Sequence, residues 1–497
     1  MEFHTGPLTS VGYIAAHPIL VTAVAILLYG LSLGLYRLSR FHPLAKFPGP
    51  KLAGLTYWYE IYYDIYRPGD YTKVIIDLHK TYGPIIRINP DELHVSDPSF
   101  IEVLYTNSGK KRESPPWHTR PFQFEGAHFG TANHDLHRTR RAPLNRFFSK
   151  AMISKLEPAI KAKAIHYCKN LETWAGTGEP LDLVTSISCF STDVITEYLY
   201  GDGNHFLDDP RMPLSLYHPI HMGAESILSF RHFPIYMHLF NAIPSKIKED
   251  VNLNVPKSRT TVFHELLTSD LPDSEKGVER MGMEAQSLVG AGIETVTWCL
   301  SVAMFYLLSA PEVIAKLHAE LETVIPGTDP SAFPSLATLE QLPYLSACVN
   351  EALRLSYGVG SRLPRSSPDE PIIYKNADKT WMIPPGYAVG MSSYQIHHDE
   401  TLFPDSRTFK PERWLDEHGK RNRHLDQYLL SFSKGSRQCL GMNLAQAELF
   451  TLLAMLIHCY GHRLQLFETT IEDVEFHHDA FIPAVKPGSK GIRVLVK

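Results

Sequence analysis

The chain has 497 residues, 44% of them hydrophobic, and a formal net charge of −5 at pH 7. Such a composition allows a large buried core, and a charge so near neutrality gives no reason to expect nucleic acid as a partner. The six cysteines form no Cys-x-x-Cys pair and are too sparse for a disulfide scaffold, so they favour a reducing compartment.

An uncharged apolar stretch at residues 18–36 is the first predicted element. At a rise of about 1.5 Å per residue it nearly crosses a bilayer core of about 30 Å. Basic residues follow it, and Glu2 is the only charged side chain before it, histidines aside, which predicts a cytosolic body. A cleaved secretory peptide is the weaker alternative, because the stretch lacks a basic region before it and a clear cleavage site.

Residues 47–50 read Phe-Pro-Gly-Pro, and the two prolines fix φ and block helix continuation. This predicts a stiff elbow after the membrane helix, with an ordinary loop as the alternative. We therefore divide the chain into an N-terminal membrane anchor, residues 1–40, and one large domain, residues 41–497. No Ser/Gly-rich linker interrupts the second part.

Most of the remaining chain has the pattern of helices. Apolar segments predict helices at residues 281–310, 345–355 and 442–460, and the last is apolar nearly all round, as expected of a buried helix. Candidate strands are few and short: 85–88, 93–95, 372–374, 388–391 and 492–496. The predicted fold class is mainly α with small β-sheets.

A glycine-rich loop directly precedes the helix at 442–460, and it contains Cys439. A thiolate ligand needs surroundings that keep the sulfur deprotonated, and the N-terminus of a following helix supplies a positive dipole and free N–H groups. Gly435 and Gly441 allow the backbone to approach a flat ligand closely. Phe432 can pack beside the cysteine and limit water. A buried structural cysteine in a Gly-rich turn is the alternative.

The loop pattern Phe-x-x-Gly-x-Arg-x-Cys-x-Gly is filled by Phe432, Gly435, Arg437, Cys439 and Gly441. It resembles the haem-binding loop of the cytochrome P-450 superfamily. The resemblance implies the cytochrome P-450 fold, haem b as cofactor and Cys439 as the ligand to its iron. Arg437 would pair with a haem propionate.

Residues 291–295, Ala-Gly-Ile-Glu-Thr, lie within the long predicted helix. They resemble the family helix that crosses the haem face. By that resemblance Gly292 makes room for dioxygen, Thr295 hydrogen-bonds the bound oxygen and Glu294 relays protons. Many members have a second hydroxyl next, whereas this chain has Val296, which affects only details of the water network.

A further pair of motifs is typical of the same family. Glu351 and Arg354 lie three apart on one predicted helix, and a Pro-Glu-Arg-Trp sequence containing Arg413 follows. The resemblance assigns Glu351, Arg354 and Arg413 to a buried network that maintains the fold and retains haem.

The basic cluster at residues 137–141 is either a solvated helix face or the family's propionate-binding helix. His137 stands where the family has tryptophan, and it can still donate a hydrogen bond to a carboxylate. The resemblance implies that His137 and Arg141 contact one propionate and Arg365 another. Arg362 is a competing choice for that third contact.

The motifs occur in family order over nearly the whole chain, and residues 134–149 and 351–365 resemble microsomal fungal members such as trichodiene oxygenase-like enzymes. This implies a haem monooxygenase that inserts one oxygen atom from O2 into a lipophilic terpenoid or polyketide intermediate of secondary metabolism, by hydroxylation or epoxidation. NADPH would supply electrons through a separate NADPH–cytochrome P-450 reductase, with cytochrome b5 as an optional donor. The expected location is the endoplasmic reticulum membrane, single-pass, with a cytosolic catalytic domain, in contact with lipid and not with nucleic acid.

Two other classes share parts of this pattern. A haem-thiolate isomerase or dehydratase needs no electrons, and the acid–alcohol pair Glu294 and Thr295 argues against it. A non-catalytic haem binder is the second alternative. Residues 217–240, rich in aromatic, His and Met side chains, form either a lipophilic entrance or an ordinary packing surface.

Overall fold

The structure is a computed structural model that describes residues 18–236, 261–325, 327 and 333–497. Helices dominate it, as predicted. In chain order they are α1 (Pro18–Leu38), α2 (Lys51–Leu55), α3 (Trp58–Ile61), α4 (Tyr71–Tyr82), α5 (Ile101–Leu104), α6 (Pro116–Thr119), α7 (His134–Phe147), α8 (Lys150–Glu172), α9 (Leu183–Tyr200), α10 (Tyr217–Glu225), α11 (Ile227–His232), α12 (Val262–Thr268), α13 (Val278–Leu308), α14 (Pro311–Glu322), α15 (Leu336–Leu339), α16 (Pro343–Ser356), α17 (Ser393–His397) and α18 (Met442–Tyr460).

The strands are short and form four small sheets. They are β1 (Ile85–Asn89), β2 (Glu92–Val95), β3 (Leu181–Asp182), β4 (Ile372–Lys375), β5 (Thr380–Ile383), β6 (Ala388–Gly390), β7 (Leu464–Leu466), β8 (His478–Ala480), β9 (Ile482–Ala484) and β10 (Arg493–Val496). The sheet orders are β1-β2-β6, β3-β10-β7, β4-β5 and β8-β9. All five predicted strands are confirmed.

One sheet joins distant parts of the chain. β1 and β2 are antiparallel, with Ile85 opposite Val95, and β2 pairs in parallel with β6, with Glu92 opposite Ala388. A parallel pair requires a long crossover, and here most of the helical part of the chain lies between the two strands. The sheet therefore brings the start of the body to the segment that precedes the cysteine loop.

The largest core surrounds α13 and α18. α13 has 31 residues and packs along α9, α16 and α18. Its predicted end is confirmed, since the helix stops at Leu308 and Pro311 occupies the first turn of α14, where its missing N–H costs nothing. α18 is buried along most of its length, as its all-round apolar sequence predicts.

α1 differs from both core helices, because none of its residues is buried. Three helices in the described parts of the chain are long and apolar enough to cross a membrane: α1, α13 and α18. The most apolar windows of α13 and α18 are each 72% buried, whereas that of α1 is 0% buried with a mean hydropathy of 2.2. α1 is thus the candidate membrane span, in line with the predicted anchor.

The proline segment after α1 is held against β1. The N–H of Arg87 donates to the carbonyl of Pro48 at 2.6 Å. Gly49 has φ 151°, and a Cβ there would collide with the Arg87 carbonyl. The glycine allows this close approach, so the predicted elbow is an anchored segment of the body.

Candidate functional site

The cysteine loop closes on itself just before α18. The N–H of Cys439 donates to the carbonyl of Phe432 at 2.8 Å, and a 3-10 turn, Gly435–Arg437, lies between them. Gly435 has φ 76°, and a Cβ there would lie 2.6 Å from the Tyr105 carbonyl carbon. The close contact with the Tyr105 backbone therefore explains why this position is a glycine. Its predicted approach to a flat ligand stays a prediction.

Cys439 lines a space inside the protein. It is the exposed member of the six cysteines, all of which are described; four are buried and Cys459 is half-buried. Yet burial raises the pKa of the Cys439 thiol, while the Gly441 N–H and the Arg141 charge oppose that shift. Accessibility and desolvation occur together when a side chain faces an enclosed space. A Cβ on Gly441 would meet nothing within 4 Å, so the backbone there borders the same kind of open space.

A buried group of cations lies beside the cysteine. Arg141 donates from Nη1 to the Gln438 carbonyl at 2.6 Å, and Arg437 donates to the carbonyls of Thr131 at 2.7 Å and Ala132 at 2.6 Å. Arg365 donates to its neighbour's carbonyl, that of Pro364, at 2.9 Å. Across the described residues none of the three arginines forms an ion pair with a carboxylate.

The pKa directions show that these cations share one environment. Burial and the charges of Arg365 and Arg141 together lower the pKa of Arg437 to about 9, against the opposing charge of Glu113. Burial lowers the pKa of His137 to about 2, together with the charges of Arg437, His128, Arg141 and Arg365. Buried cations without a compensating anion are costly, so this cluster is chemically suited to an anionic group.

The structure separates the two arginines that compete for the third contact. Arg362 is buried in ion pairs with Glu60 and with Glu92, the latter at 2.9 Å. Arg365 has no such partner among the described side chains, and its guanidinium lies 5.5 Å from the Tyr105 ring centre. The geometry therefore favours the predicted Arg365.

The predicted oxygen-side helix presents an accessible stripe in a buried stretch. Ala291 is exposed and Thr295, one turn later, is half-buried, although Ile293, Glu294 and Val296 are buried. The Thr295 hydroxyl donates to the Ala291 carbonyl at 2.8 Å. Positions four apart share a helix face, so this face of α13 borders open space inside the molecule.

His128 contacts both α13 and the helix α7 that carries part of the cation cluster. Nδ1 of His128 lies 2.5 Å from Oε1 of Glu284 on α13. The His128 ring centre is 6.2 Å from that of His137 on α7. The predicted propionate helix and the predicted oxygen helix therefore meet through this contact.

Gly292 faces α9. A Cβ there would lie 2.8 Å from Cγ1 of Ile195, which is closer than real contacts allow. This close helix packing is a sufficient reason for a glycine within α13. The predicted room for dioxygen stays a prediction beside it.

Glu294 points away from the Thr295 face and towards α10. Its Oε1 lies 2.8 Å from Nδ1 of His221, and its Oε2 is buried without a hydrogen-bond partner among the described atoms. Burial raises the pKa of the Glu294 carboxyl, while His221 and Tyr217 oppose the shift by hydrogen bonding. The predicted acid–alcohol pair is thus divided between two faces of one helix.

The predicted structural network is confirmed. Arg354 donates from Nη2 to Oε1 of Glu351 at 2.7 Å, and both side chains are fully buried. Arg413 donates to the same oxygen at 3.0 Å, and the Trp414 indole donates to Oε2 at 2.9 Å. Arg354 also reaches the carbonyls of His397 and Ser406, so it holds the segment that leads to the cysteine loop.

Sequence reasoning missed three residues at or near this site: His221, Tyr217 as the partner of Glu294, and Glu448 on α18. Glu448 is fully buried and its Oε2 has no partner in the described structure. A carboxylate in the all-apolar pattern of α18 was a readable signal. The contact between His221 and Glu294, far apart in sequence, has no local signal.

Part of the predicted entrance is described and part is not. Met222, Ile235 and Tyr236 are exposed, and the Phe233 ring lies 6.4 Å from that of Trp58 on α3. Residues 237–240 lie outside the described residues. The interpretation of this region as a lipophilic entrance stays a prediction.

Comparison with known proteins agrees with the site. The cytochrome P-450 family model matches residues 57–260 and 235–482. Over 96% of the chain and 97% of each relative, identity is 40% to the cytochrome P-450 monooxygenase tpcC of Cochliobolus heterostrophus and 41% to astB of Talaromyces wortmannii. The tryptophan 6-hydroxylase fscE of Fusarium equiseti is 40% identical over the same shares.

Within the described residues, this site combines an exposed cysteine in the loop before α18 with arginines that form no ion pair with a carboxylate. The chain belongs to the cytochrome P-450 family and is a monooxygenase similar to those of fungal secondary metabolism. The resemblance seen in the sequence is confirmed. The family implies a haem iron cofactor, and the accessible Cys439 and the unpaired cations fit that group.

Proposed function

We propose that this chain is a membrane-anchored monooxygenase that inserts one oxygen atom from O2 into a lipophilic small molecule of secondary metabolism. Residues 1–40 are the anchor and residues 41–497 the haem-thiolate catalytic domain. The observation that carries the proposal is the joint position of Cys439 and the cluster of Arg141, Arg365 and Arg437, which forms no ion pair with a carboxylate of the described residues.

In this proposal Cys439 supplies the iron ligand. Arg141, Arg365 and Arg437 bind the two propionates, and His137 donates to one of them because its low pKa keeps the ring neutral and hydrogen-bonding. Gly441 leaves room above the loop, Gly435 holds the loop on the Tyr105 backbone, and Phe432 shields the cysteine. Bound haem would supply the oxygen chemistry, and the Cys439 thiolate would support it by donating electron density to the iron.

Thr295 and Glu294 control protons. The Thr295 hydroxyl lies on the accessible face of α13 and can turn from the Ala291 carbonyl towards a bound ligand. Glu294 is buried on the next face, and burial raises its pKa, so it can hold a proton near neutral pH and release it inwards through water. Gly292, three residues before Thr295, keeps α13 close to α9 and leaves the helix face towards dioxygen unobstructed.

Electrons come from NADPH through a separate reductase, with cytochrome b5 as an optional second donor. The family works with a redox partner, which supports this assignment. The exposed helix α1 supports a single-pass location in the endoplasmic reticulum membrane with the catalytic domain in the cytosol. Exposed apolar side chains near Ile235 and Trp58 support an entrance for a lipophilic substrate.

The substrate class is a terpenoid or polyketide intermediate, hydroxylated or epoxidised. An indole amino acid is the second candidate, because two relatives are named tryptophan 6-hydroxylase and N-acetyltryptophan 6-hydroxylase. A substrate screen with reductase separates the two classes. Product formed without reductase would point to a haem-thiolate isomerase or dehydratase, and turnover of small polar acids alone would contradict both proposed classes.

The deciding experiment is the absorption spectrum of the reduced, carbon-monoxide-bound protein. We expect a strongly red-shifted Soret band in the wild type and its loss in Cys439→Ser. Cys459→Ser is the matched control, since Cys459 is half-buried and lies on α18 away from the loop. An unchanged band in Cys439→Ser, or no haem in well-folded wild type, would contradict the proposal.

A further inference from the structure

We propose that His221 on α10 is the positioning residue for Glu294, orienting its carboxyl and renewing its proton from solvent. The inference rests on the proposed function, because it gives Glu294 a proton to deliver. It adds a residue that lies outside every motif of the sequence.

The contact joins a buried acid to a group near the surface. Nδ1 of His221 lies 2.8 Å from Oε1 of Glu294, and the exposed fractions of the two side chains are 18% and 6%. Glu294 alone has almost no access to water. His221 reaches both the carboxyl and solvent, as a proton-exchanging group must.

The imidazole ring is held in place by its own helix. It stacks on the Tyr217 ring, with centres 5.3 Å apart and an angle of 18° between planes. Tyr217 is buried one turn earlier on α10, and its hydroxyl also favours the ionised form of Glu294. The stacking holds the ring with Nδ1 towards Glu294 on α13, and 18% of the side chain stays exposed.

Other titratable groups surround the pair without replacing His221. His218, on the same helix, lies 3.9 Å from Asp182 and is more exposed. Burial lowers the pKa of His478 on β8, and the charges of His477, Glu225, Asp479 and His221 also act on it. Any pH dependence of the pair therefore includes these neighbours.

The second carboxyl oxygen of Glu294, Oε2, offers a route by which the proton can leave the carboxyl. Oε2 is buried without a hydrogen-bond partner in the part of the chain that the structure describes, so it has the capacity to accept a hydrogen bond from water. The cycle is balanced in protons: the carboxyl loses one inwards from Oε2, imidazolium Nδ1–H restores one at Oε1, a half-turn of the carboxyl brings that proton to the inward side, and imidazole takes one from solvent. No electron moves in any of these steps.

The first readout is infrared absorption of the resting haem-containing protein, which needs no turnover. The band of the protonated Glu294 carboxyl is assigned by its loss in Glu294→Gln, and its pH midpoint is then followed. We expect the band to shift in both His221→Gln and His221→Leu. His218→Gln, the control from the same helix, removes only a more distant charge that acts on Glu294, so it should shift the band less than either His221 variant.

The second readout is hydrogen peroxide formation from NADPH and O2 with reductase and without substrate. His221→Leu should lower its rate by about ten-fold or more, as expected for losing a positioned proton donor. His221→Gln keeps a hydrogen-bond donor but cannot pass on a proton, so its rate should stay below that of the wild type and its pH profile should differ. Thermal melting and the carbon-monoxide spectrum verify that each variant is folded.

The two proposals fail differently. A wild-type carboxyl band and pH profile in both His221 variants, with a clear defect in Glu294→Gln, would overturn the role of His221 and leave that of Glu294 intact. Wild-type behaviour of Glu294→Gln itself would overturn both. A defect in His221→Leu that His221→Gln fully restores, pH profile included, would reduce His221 to packing and so reject the inference.

Discussion

At the residue scale, the two neighbouring arginines of the Ser-Arg-Leu-Pro-Arg segment have opposite environments. Arg365 has no carboxylate partner among the described residues, and burial lowers its pKa. We expect Arg365→Gln to leave the haem-free protein about as stable as wild type, because it removes an uncompensated buried charge. The same change should speed haem loss, measured by transfer of haem to apomyoglobin.

Arg362→Gln is the matched control for that prediction. It breaks buried ion pairs with Glu60 and Glu92, so we expect a loss of about 3–5 kcal/mol of unfolding free energy, haem bound or not. Equal destabilisation of the haem-free protein by both changes would contradict the assignment of Arg365 to a propionate.

A second residue-scale prediction concerns Glu448. Burial raises the pKa of this carboxyl well above its ordinary value, so the folded chain holds a proton that the unfolded chain releases near neutral pH. Stability from this group is therefore complete below the unfolded value of 4.5 and is lost as pH rises towards the folded value, by about 1.4 kcal/mol per pH unit.

Glu448→Gln should remove that slope. Urea unfolding of wild type and variant at several pH values from about 5 to about 8 measures this slope. We expect the variant to gain stability relative to wild type as pH rises. A difference that does not depend on pH would mean that Glu448 is ionised in the folded protein.

At the element scale, the packing of α13 on α9 depends on one missing side chain. A Cβ at Gly292 would lie 2.8 Å from Cγ1 of Ile195. We expect Gly292→Ala to cost about 1–3 kcal/mol, because overpacking displaces the helices. Chemical denaturation measures the loss, and the spectral response to carbon monoxide reports any shift of α13 against the haem.

Ile195→Ala provides the control in a double-mutant cycle. It removes the colliding atoms, so the double variant should be more stable than the sum of the single changes predicts. If the two changes in unfolding free energy are strictly additive, residues 292 and 195 do not compete for the same space. The glycine at position 292 would then be explained only by its role on the oxygen side.

The helices that carry the site were predictable because their sequence signals are local. The apolar run of α18, the Cys439 loop and the end of α13 before Pro311 can each be read within a few residues. The short strands β3, β5, β7, β8 and β9 were missed because two to four residues give too little periodicity to detect. Their pairing is decided by distant segments.

The site residues, too, could be predicted where their signal is local and not where it depends on the fold. The side chains of Cys439 and Arg437 follow from a motif, but the absence of a carboxylate near Arg365 and its presence near Arg362 depend on tertiary packing. The direction of Glu294 is another case. Only the fold shows that it turns to α10 and His221 while Thr295 faces the internal space.

At the scale of the whole molecule, α1 is separable from the body in a way that α13 and α18 are not. None of its residues is buried, and its contacts with the body lie at its end, where Arg37 donates to the Leu55 carbonyl at 3.1 Å and accepts from Arg87 at 3.0 Å. Removing residues 2–36 keeps those contacts and deletes the apolar helix.

We expect this truncated chain to retain the carbon-monoxide spectrum and to move from the carbonate-washed membrane pellet to the soluble fraction. The full-length double variant Leu27→Arg/Leu31→Arg is the control, because each charge near the bilayer centre costs about 2.5–3.5 kcal/mol and neither side chain supports the body. Release of both variants would establish α1 as the anchor. If the truncated chain stays in the washed pellet, the exposed surface near Trp58 and Ile235 holds the membrane by itself, and the division of the chain into anchor and catalytic domain would be wrong.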